Sequence, residues 1–482
     1  MARQPRAGGR EAPDDGIRER GETGFFSRNR LIPIVIASAL FMDLMDSASL
    51  ALALPTIARD FGISTTDLRL ALTSYAVTIA VLVPASAWIA GRFGARRVFV
   101  WAMIVFIAGS VSCGLSNDLA QLVFSRVLQG MGGAMMTPVG RAIMIGSVDR
   151  GSMVRAMAWY TLPAILAPLM GPPVAGFLIE LVSWHWIFFI NIPVGILGIA
   201  AVMRFVPKIE PEPRRPFDMV GFFLCGSSIL ALLGLVETGG LSGQPWLFRV
   251  LAVAGAITLA ICYWRQATRS LRPLIDLGVL RHRTLAFSLS ACGLQRVAIG
   301  AITIMLPMQL QVALGLTPLA ASQVPAIGAI GSILSRFVCP LWLRIAGFRT
   351  VMVSSALMLA AATIVPIFFE AGTPLLWMSI FMSSYALIRA TFFMSGNSLA
   401  YADVEGAEIG DSSVLFAISQ QLTLGLGYML GGGMVAGAGG ADTIDAYELG
   451  YSIVALFPLG AALIIARLPQ GVGESLRHKA AP

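Results

Sequence analysis

Charge is what this chain has least of. Only 12% of its 482 residues are Asp, Glu, Lys or Arg, about half of what a soluble globule uses to cover its surface. A water-soluble enzyme or scaffold of this size is therefore excluded. Histidine is also scarce: His185, His282 and His478 are scattered, which leaves no metal cluster and no nucleophile–base pair. The five cysteines (Cys113, Cys225, Cys262, Cys292 and Cys339) lie inside apolar runs without metal or redox spacing, so they read as small packing residues. No G-x-x-x-x-G-K-[ST] loop is present, which argues against an ATP-driven pump. No cleavable signal is expected, because the first thirty residues are polar and the first apolar run is long enough to span.

What the chain has is apolar length. It is 56% hydrophobic with a mean hydropathy of +0.78, the profile of a polytopic membrane protein. The formal charge of +8 could suggest nucleic acid, but the basic residues fall in small groups between apolar runs. That spacing fits the positive-inside rule, and no nucleic-acid partner is expected. Taking about 20 apolar residues per crossing, fourteen spans are expected, near 31–55, 70–91, 98–115, 119–142, 155–180, 185–205, 217–237, 247–266, 284–308, 319–344, 349–369, 374–396, 412–435 and 450–468. Arg92, Arg96 and Arg97 follow span two, Arg150 and Arg155 span four, Lys208, Arg214 and Arg215 span six, and five arginines span eight. The even-numbered loops and both termini should therefore be cytoplasmic. The loop Tyr401–Asp411 departs from this, holding four acids and no base; acids count weakly in the rule.

Two echoes suggest a duplicated architecture. WIAGRFGARRVFV from Trp88 returns as WLRIAGFRTVMV from Trp342, so that Gly94 and Arg96 recur as Gly347 and Arg349. Arg126 and Gly133 likewise pair with Arg389 and Gly396. Similar halves in the same orientation mark transporters built from parallel repeats. The expected organisation is a disordered cytoplasmic tail (1–29), a six-helix bundle (30–206), a linker with two inserted helices (207–283), a second six-helix bundle (284–468) and a cytoplasmic tail (469–482).

The stretch that organises the chain is SRVLQGMGGAMMTPVGRA, Ser125 to Ala142. An arginine at a membrane helix centre costs roughly 2.5–3.5 kcal/mol on translocon scales, so Arg126 must face a partner or a wet cavity. Gly130, Gly132 and Gly133 remove bulk beside it and admit a neighbouring backbone or a substrate. In span one, Asp43 and Asp46 lie three apart on one helix face. Removal from water favours the protonated form of a carboxylate, so either is a candidate proton carrier; equally, either could simply pair with Arg126 or Arg389. Span five carries Pro163, Pro168, Pro172 and Pro173 with Gly171 and Gly176, the composition of a bent, closely packed helix. In the second half Gln295, Arg296, Gln309, Arg336, Arg389, Asn397, Gln420 and Gln421 are polar groups within apolar spans. They are the candidate lining of a substrate cavity, although Arg336 could equally snorkel to lipid phosphates. Arginines there would favour an anionic or zwitterionic substrate.

SRVLQGMGGAMMTPVGRA, GPPVAG at Gly171, SWHWIFFINIPVG at Ser183 and the span-one pattern ending at Pro55 together resemble the major facilitator superfamily, specifically its fourteen-span drug:proton antiporter branch. The resemblance runs from about residue 30 to 468. It implies an all-α fold of two six-helix bundles plus two inserted helices, working by alternating access in a bacterial inner membrane. It implies Arg126 as the fourth-helix arginine linked to proton transfer and Asp46 as the first-helix acid, with Gly171, Pro172 and Gly176 on the antiporter motif and Gly130, Gly133, Pro138, Arg92 and Gly94 on packing and gating motifs. Two departures stand out: Gly91 occupies the place of an aspartate before Arg92, and Ala48 and Ala51 replace the usual Thr and Asn. A charge that would latch one side is thus missing.

The expected function is a proton-coupled antiporter exporting small organic molecules or drugs, with no cofactor beyond the proton motive force and no enzymatic activity. An exporter of an anionic metabolite or metal chelate is a second reading, and a non-transporting sensor or scaffold of the same fold a third. Expected partners are membrane lipids and a small-molecule substrate, with the protein monomeric. Pumps of this branch often use a periplasmic adaptor, for which the sequence holds no signature.

Overall fold

A computed structural model describes residues 28–147, 153–207, 217–237, 246–270, 273–404, 408–437 and 444–469. Of the tails expected at 1–29 and 469–482, residues 1–27 and 470–482 lie outside the described residues, as do the loop residues Arg150, Lys208, Arg214, Arg215, Arg272 and Glu405. Every regular element among the described residues is helical, as a chain must be when lipid offers its backbone no hydrogen bonds.

The helices are α1 (Arg28–Phe61), α2 (Arg69–Phe93), α3 (Ala95–Gly114), α4 (Leu119–Ser147), α5 (Met153–Leu181), α6 (Trp186–Phe189), α7 (Asn191–Phe205), α8 (Met219–Glu237), α9 (Trp246–Arg269), α10 (Arg283–Met308), α11 (Pro318–Ile364), α12 (Leu375–Ala400), α13 (Glu408–Gly437), α14 (Ile444–Val454) and α15 (Leu456–Ala466). Ten segments among the described residues are long and apolar enough to cross a membrane, against the fourteen spans expected. One reason is local. Pro318–Phe368 counts as a single run of 51 residues, about 75 Å at 1.5 Å per residue, more than twice a hydrocarbon core of about 30 Å. It breaks at Gly347, whose φ of 76° is left-handed, and so supplies two passes. The exterior is apolar, as a lipid-facing surface should be: Trp101, Phe124, Leu197, Phe337 and Leu463 are each at least 65% exposed.

The first of the two sequence echoes has the same local geometry at both places. Gly94, between α2 and α3, has a φ of 88° and matches Gly347 in the second half, both in a conformation that glycine alone adopts without strain. Two residues on, Arg96 donates from Nη2 to the Met203 carbonyl at the end of α7. Arg349 donates from Nη2 to the Ala466 carbonyl at the end of α15, 2.6 Å away. Each arginine thus satisfies an orphan carbonyl at a helix C-terminus and places its charge where the helix dipole favours it.

Helix α2 packs against α13 and α5 against α11, and two hydrogen bonds join these groups of helices at the end away from the termini. Glu180 of α5 accepts a hydrogen bond from the Leu319 amide at the start of α11, 3.0 Å. Gln311, in the widened turn after α10, donates to the Leu52 carbonyl of α1 at 2.8 Å. Gly176 sits where a Cβ would meet the Ser322 side chain at 2.7 Å and Leu319 Cα at 3.0 Å, so its lack of a side chain sets the α5–α11 approach. A shallow cavity of about 410 Å³ between Thr56, Arg59, Asp60, Ile179, Trp184 and Pro318 indents this end.

At the other end Glu408, at the start of α13, binds both Arg281 and His282 just before α10. Their hydrogen bonds and charges, that of His282 first, hold the Glu408 carboxyl below its usual range. A depressed carboxylate favours the folded state above its unfolded value near 4.3 and loses that contribution as pH falls through the lower folded value. Glu408→Gln should therefore change thermal stability in detergent at pH 7 more than at pH 3. Equal shifts at both pH values would refute the clamp.

Candidate functional site

Arg126 is fully buried on the inner face of α4, and the fold surrounds it with acceptors. Its Nε donates to the Ala71 carbonyl of α2 at 3.1 Å. Its Nη1 donates to Asp46 Oδ2 and to Gln129 Oε1, and the guanidinium lies over the Tyr75 ring, 4.2 Å from its centroid. The remaining terminal nitrogen, Nη2, has no hydrogen-bond partner among the described residues.

Asp46, 1% exposed, is held on its other oxygen as well. Gln129 Nε2 donates to Oδ1 at 2.8 Å and Asn191 Nδ2 at 3.0 Å. Asn191 also reaches Ser110 Oγ at 2.9 Å. Asp46 therefore accepts three hydrogen bonds and donates none, the role an ionised carboxylate plays. The ion pair is buried, charge-assisted and backed by three further helices, which is the condition under which such a pair is not a liability.

Asp43 differs. It is half-buried, and its one protein hydrogen bond among the described residues comes from the Tyr75 hydroxyl. Tyr75 thus connects the two acids: its hydroxyl binds Asp43 while its ring carries the cation that binds Asp46. Gly130 and Gly133 explain how α2 comes so close. A Cβ on Gly133 would stand 2.6 Å from the Tyr75 hydroxyl, and one on Gly130 would stand 2.8 Å from Thr78 Cβ and 3.1 Å from the Tyr75 carbonyl. Gly133→Ala should push the Tyr75 hydroxyl off Asp43 and reproduce the pH profile of Tyr75→Phe. A wild-type profile for Gly133→Ala beside an altered one for Tyr75→Phe would separate the two residues.

Across the interface, Arg296 of α10 is half-buried and within electrostatic range of Asp43, Arg389 and Tyr428. Its guanidinium lies 5.8 Å from the Phe393 ring centroid. Arg389 of α12, Gln420 and Gln421 of α13 are half-buried too. Gln295 is buried, with neither end of its amide hydrogen-bonded among the described residues. Arg336 is exposed, but it lies seven residues from Ala329 and fourteen from Ser322 on the face of α11 that packs α5 at the far end.

Two expected lining residues sit elsewhere. Gln309 is buried within the second half, donating to the Pro366 carbonyl at 2.7 Å and accepting from the Tyr451 hydroxyl at 2.9 Å; both ends of its amide are used to brace the widened turn of α10. Asn397 is exposed beside Ser398, away from the buried face of α12 formed by Ser395, Gly396 and Leu399. Gly171 packs at ordinary contact, 3.6 Å, against Met45 and Ala48 of α1, beside buried Pro172. Pro138 and Arg92 are half-buried and away from the ion pair. Tyr75, Gln129, Ser110 and Asn191 are site residues that inspection of the spans passed over. Gln129, three residues after Arg126, carried a signal in its helical spacing.

The profile of the Major Facilitator Superfamily matches residues 36–428. A protein of Klebsiella pneumoniae subsp. pneumoniae that carries the multidrug resistance name MdtD is 34% identical over 451 residues, covering 92% of this chain and 95% of its own. A protein of the same name from Salmonella paratyphi A is 32% identical over 454 residues, with the same coverage. Among solved structures, a POT family transporter in complex with 5-aminolevulinic acid superposes with a TM-score of 0.69 at 14% identity, covering 96% of this chain and 99% of its own. The nucleoside transporter NupG superposes with a TM-score of 0.61 at 12% identity, covering 91% and 99%. The chain belongs to the Major Facilitator Superfamily and is a multi-pass transporter of the bacterial inner membrane.

Proposed function

We propose that this protein is a proton-coupled antiporter that exports small organic molecules, drugs among them, by alternating access, with 30–206 and 284–468 as rocking halves, 207–283 as an insertion, fourteen crossings and both termini in the cytoplasm. In that orientation the hydrogen bonds Gln311–Leu52 and Glu180–Leu319 tie the halves at the outer end. Relatives named for multidrug resistance support the substrate class. The observation that carries the coupling is the pair of unlike acids around one arginine: Asp46 locked on Arg126, and Asp43 half-buried behind Tyr75.

The chemistry follows from that inequality. A proton reaches Asp43 from the cavity, and neutralising it removes the charge that the Tyr75 hydroxyl and Arg296 answer to. Nη2 of Arg126 has no hydrogen-bond partner among the described residues; in this reading it turns to Asp43 when the latter is ionised, so protonation also decides whether the guanidinium serves one acid or two. One proton moving down a potential of 100 mV supplies about 2.3 kcal/mol, enough for uphill export. The test is reconstitution of the purified chain with a pH dye inside proteoliposomes and a panel of drugs of varied charge. Drug movement against its gradient with matching internal pH change is expected. Drug counterflow without any proton movement would leave a facilitator, and no flux with any member would leave a non-transporting fold.

A further inference from the structure

We infer that the transport site lies between α1, α10 and α12 and takes an amphoteric substrate, one molecule that carries both a protonated amine and a carboxylate, with Asp43 binding the amine and Arg296 with Arg389 binding the carboxylate. This deepens the transport reading above and rests on it. Where α1 packs on α10, the charged groups of the two sides are unequal. On the first half Asp43 is half-buried with a single hydrogen bond, while Asp46 is already matched by Arg126 and shut away from solvent. On the second half Arg296 and Arg389 are both half-buried, and no described carboxylate forms an ion pair with either. The buried Nε of Arg296 has no hydrogen-bond partner among the described residues, so the guanidinium has an unused donor that a planar carboxylate fits.

A plain cation would find Asp43 but would face two arginines. A plain anion would find the arginines but would face Asp43 within electrostatic range of Arg296. A molecule with both groups satisfies both walls and spans the interface between the halves. Phe393, beside Arg296, offers an aromatic face to an apolar body. The amine would also compete with a proton for Asp43, which is the exclusion antiport needs.

The test uses one scaffold with its charges removed singly: ciprofloxacin, its methyl ester, which keeps only the amine, and its N-acetyl derivative, which keeps only the carboxylate. Equilibrium binding to the full chain in nanodiscs is measured for all three. The parent should bind at least tenfold more tightly than either derivative. In Arg296→Gln the ester should bind as well as the parent, and in Asp43→Asn the N-acetyl derivative should. Arg389→Gln should shift the ester the same way, and Arg296→Lys, which keeps the charge, should restore part of the discrimination if Arg296→Gln folds poorly. A derivative that matches the parent in the unsubstituted protein, no binding of the parent, or ratios that the substitutions leave alone would overturn the inference. Charge-selective binding without pH-driven flux would instead remove the coupling and leave the substrate class. Coupled flux of ethidium without charge selectivity would do the reverse.

Discussion

Replacing Arg126 with glutamine should be the most damaging single change in the chain. Breaking a buried ion pair by removing one member costs about 3–5 kcal/mol, because the survivor stays buried and charged. Here the survivor is Asp46, 1% exposed, which would keep the amides of Gln129 and Asn191 and lose its counter-charge. The Tyr75 ring would lose the cation that lies over it at 4.2 Å, and the Ala71 carbonyl would lose its side-chain donor. The expected outcome is a collapse in the yield of monodisperse protein, with a large fall in unfolding temperature in detergent. Asp46→Asn alone should be damaging for the complementary reason. The double variant Arg126→Gln/Asp46→Asn should recover much of the loss, since neither partner is then left charged and unmatched. Double-variant stability no better than the worse single would show that the two charges do not act as a pair.

How far the sequence foretold this site depends on how local each signal is. The turn glycines Gly94 and Gly347 and the capping arginines Arg96 and Arg349 were visible as a repeated motif, because the requirement for positive φ is written into a few neighbouring residues. The cost of Arg126 was visible from one residue in an apolar run. Its partner was not, since Asp43 and Asp46 lie on one helix face about 80 residues away, and only the packing of α1 on α4 turns one inward. Asn191 gave no signal at all: a lone asparagine near the start of a helix reads as a cap until α3 and α4 are placed beside it. Gln309 misled for the reverse reason, since a polar residue in an apolar span looks like cavity lining and here braces a widened turn.

Asp43→Asn should separate coupling from transport. Asp43 is the acid that solvent can reach, and it is held by one hydroxyl where Asp46 is held by an arginine and two amides. Asparagine keeps the shape and can still accept from Tyr75, so the packing of α1 on α2 should survive and the fold with it. What it cannot do is take up and release a proton. A pH difference of one unit is about 1.4 kcal/mol per proton, or tenfold in concentration, so a one-proton exchanger accumulates about tenfold per unit. In Asp43→Asn that accumulation should fall to unity, while exchange of labelled for unlabelled drug continues at equal pH on both sides. Asp46→Asn should instead lower exchange and accumulation together, because it loosens the helices that shape the cavity. If Asp43→Asn still accumulates drug in proportion to the pH difference, the proton travels on another group, and the half-buried acid is only a binding contact.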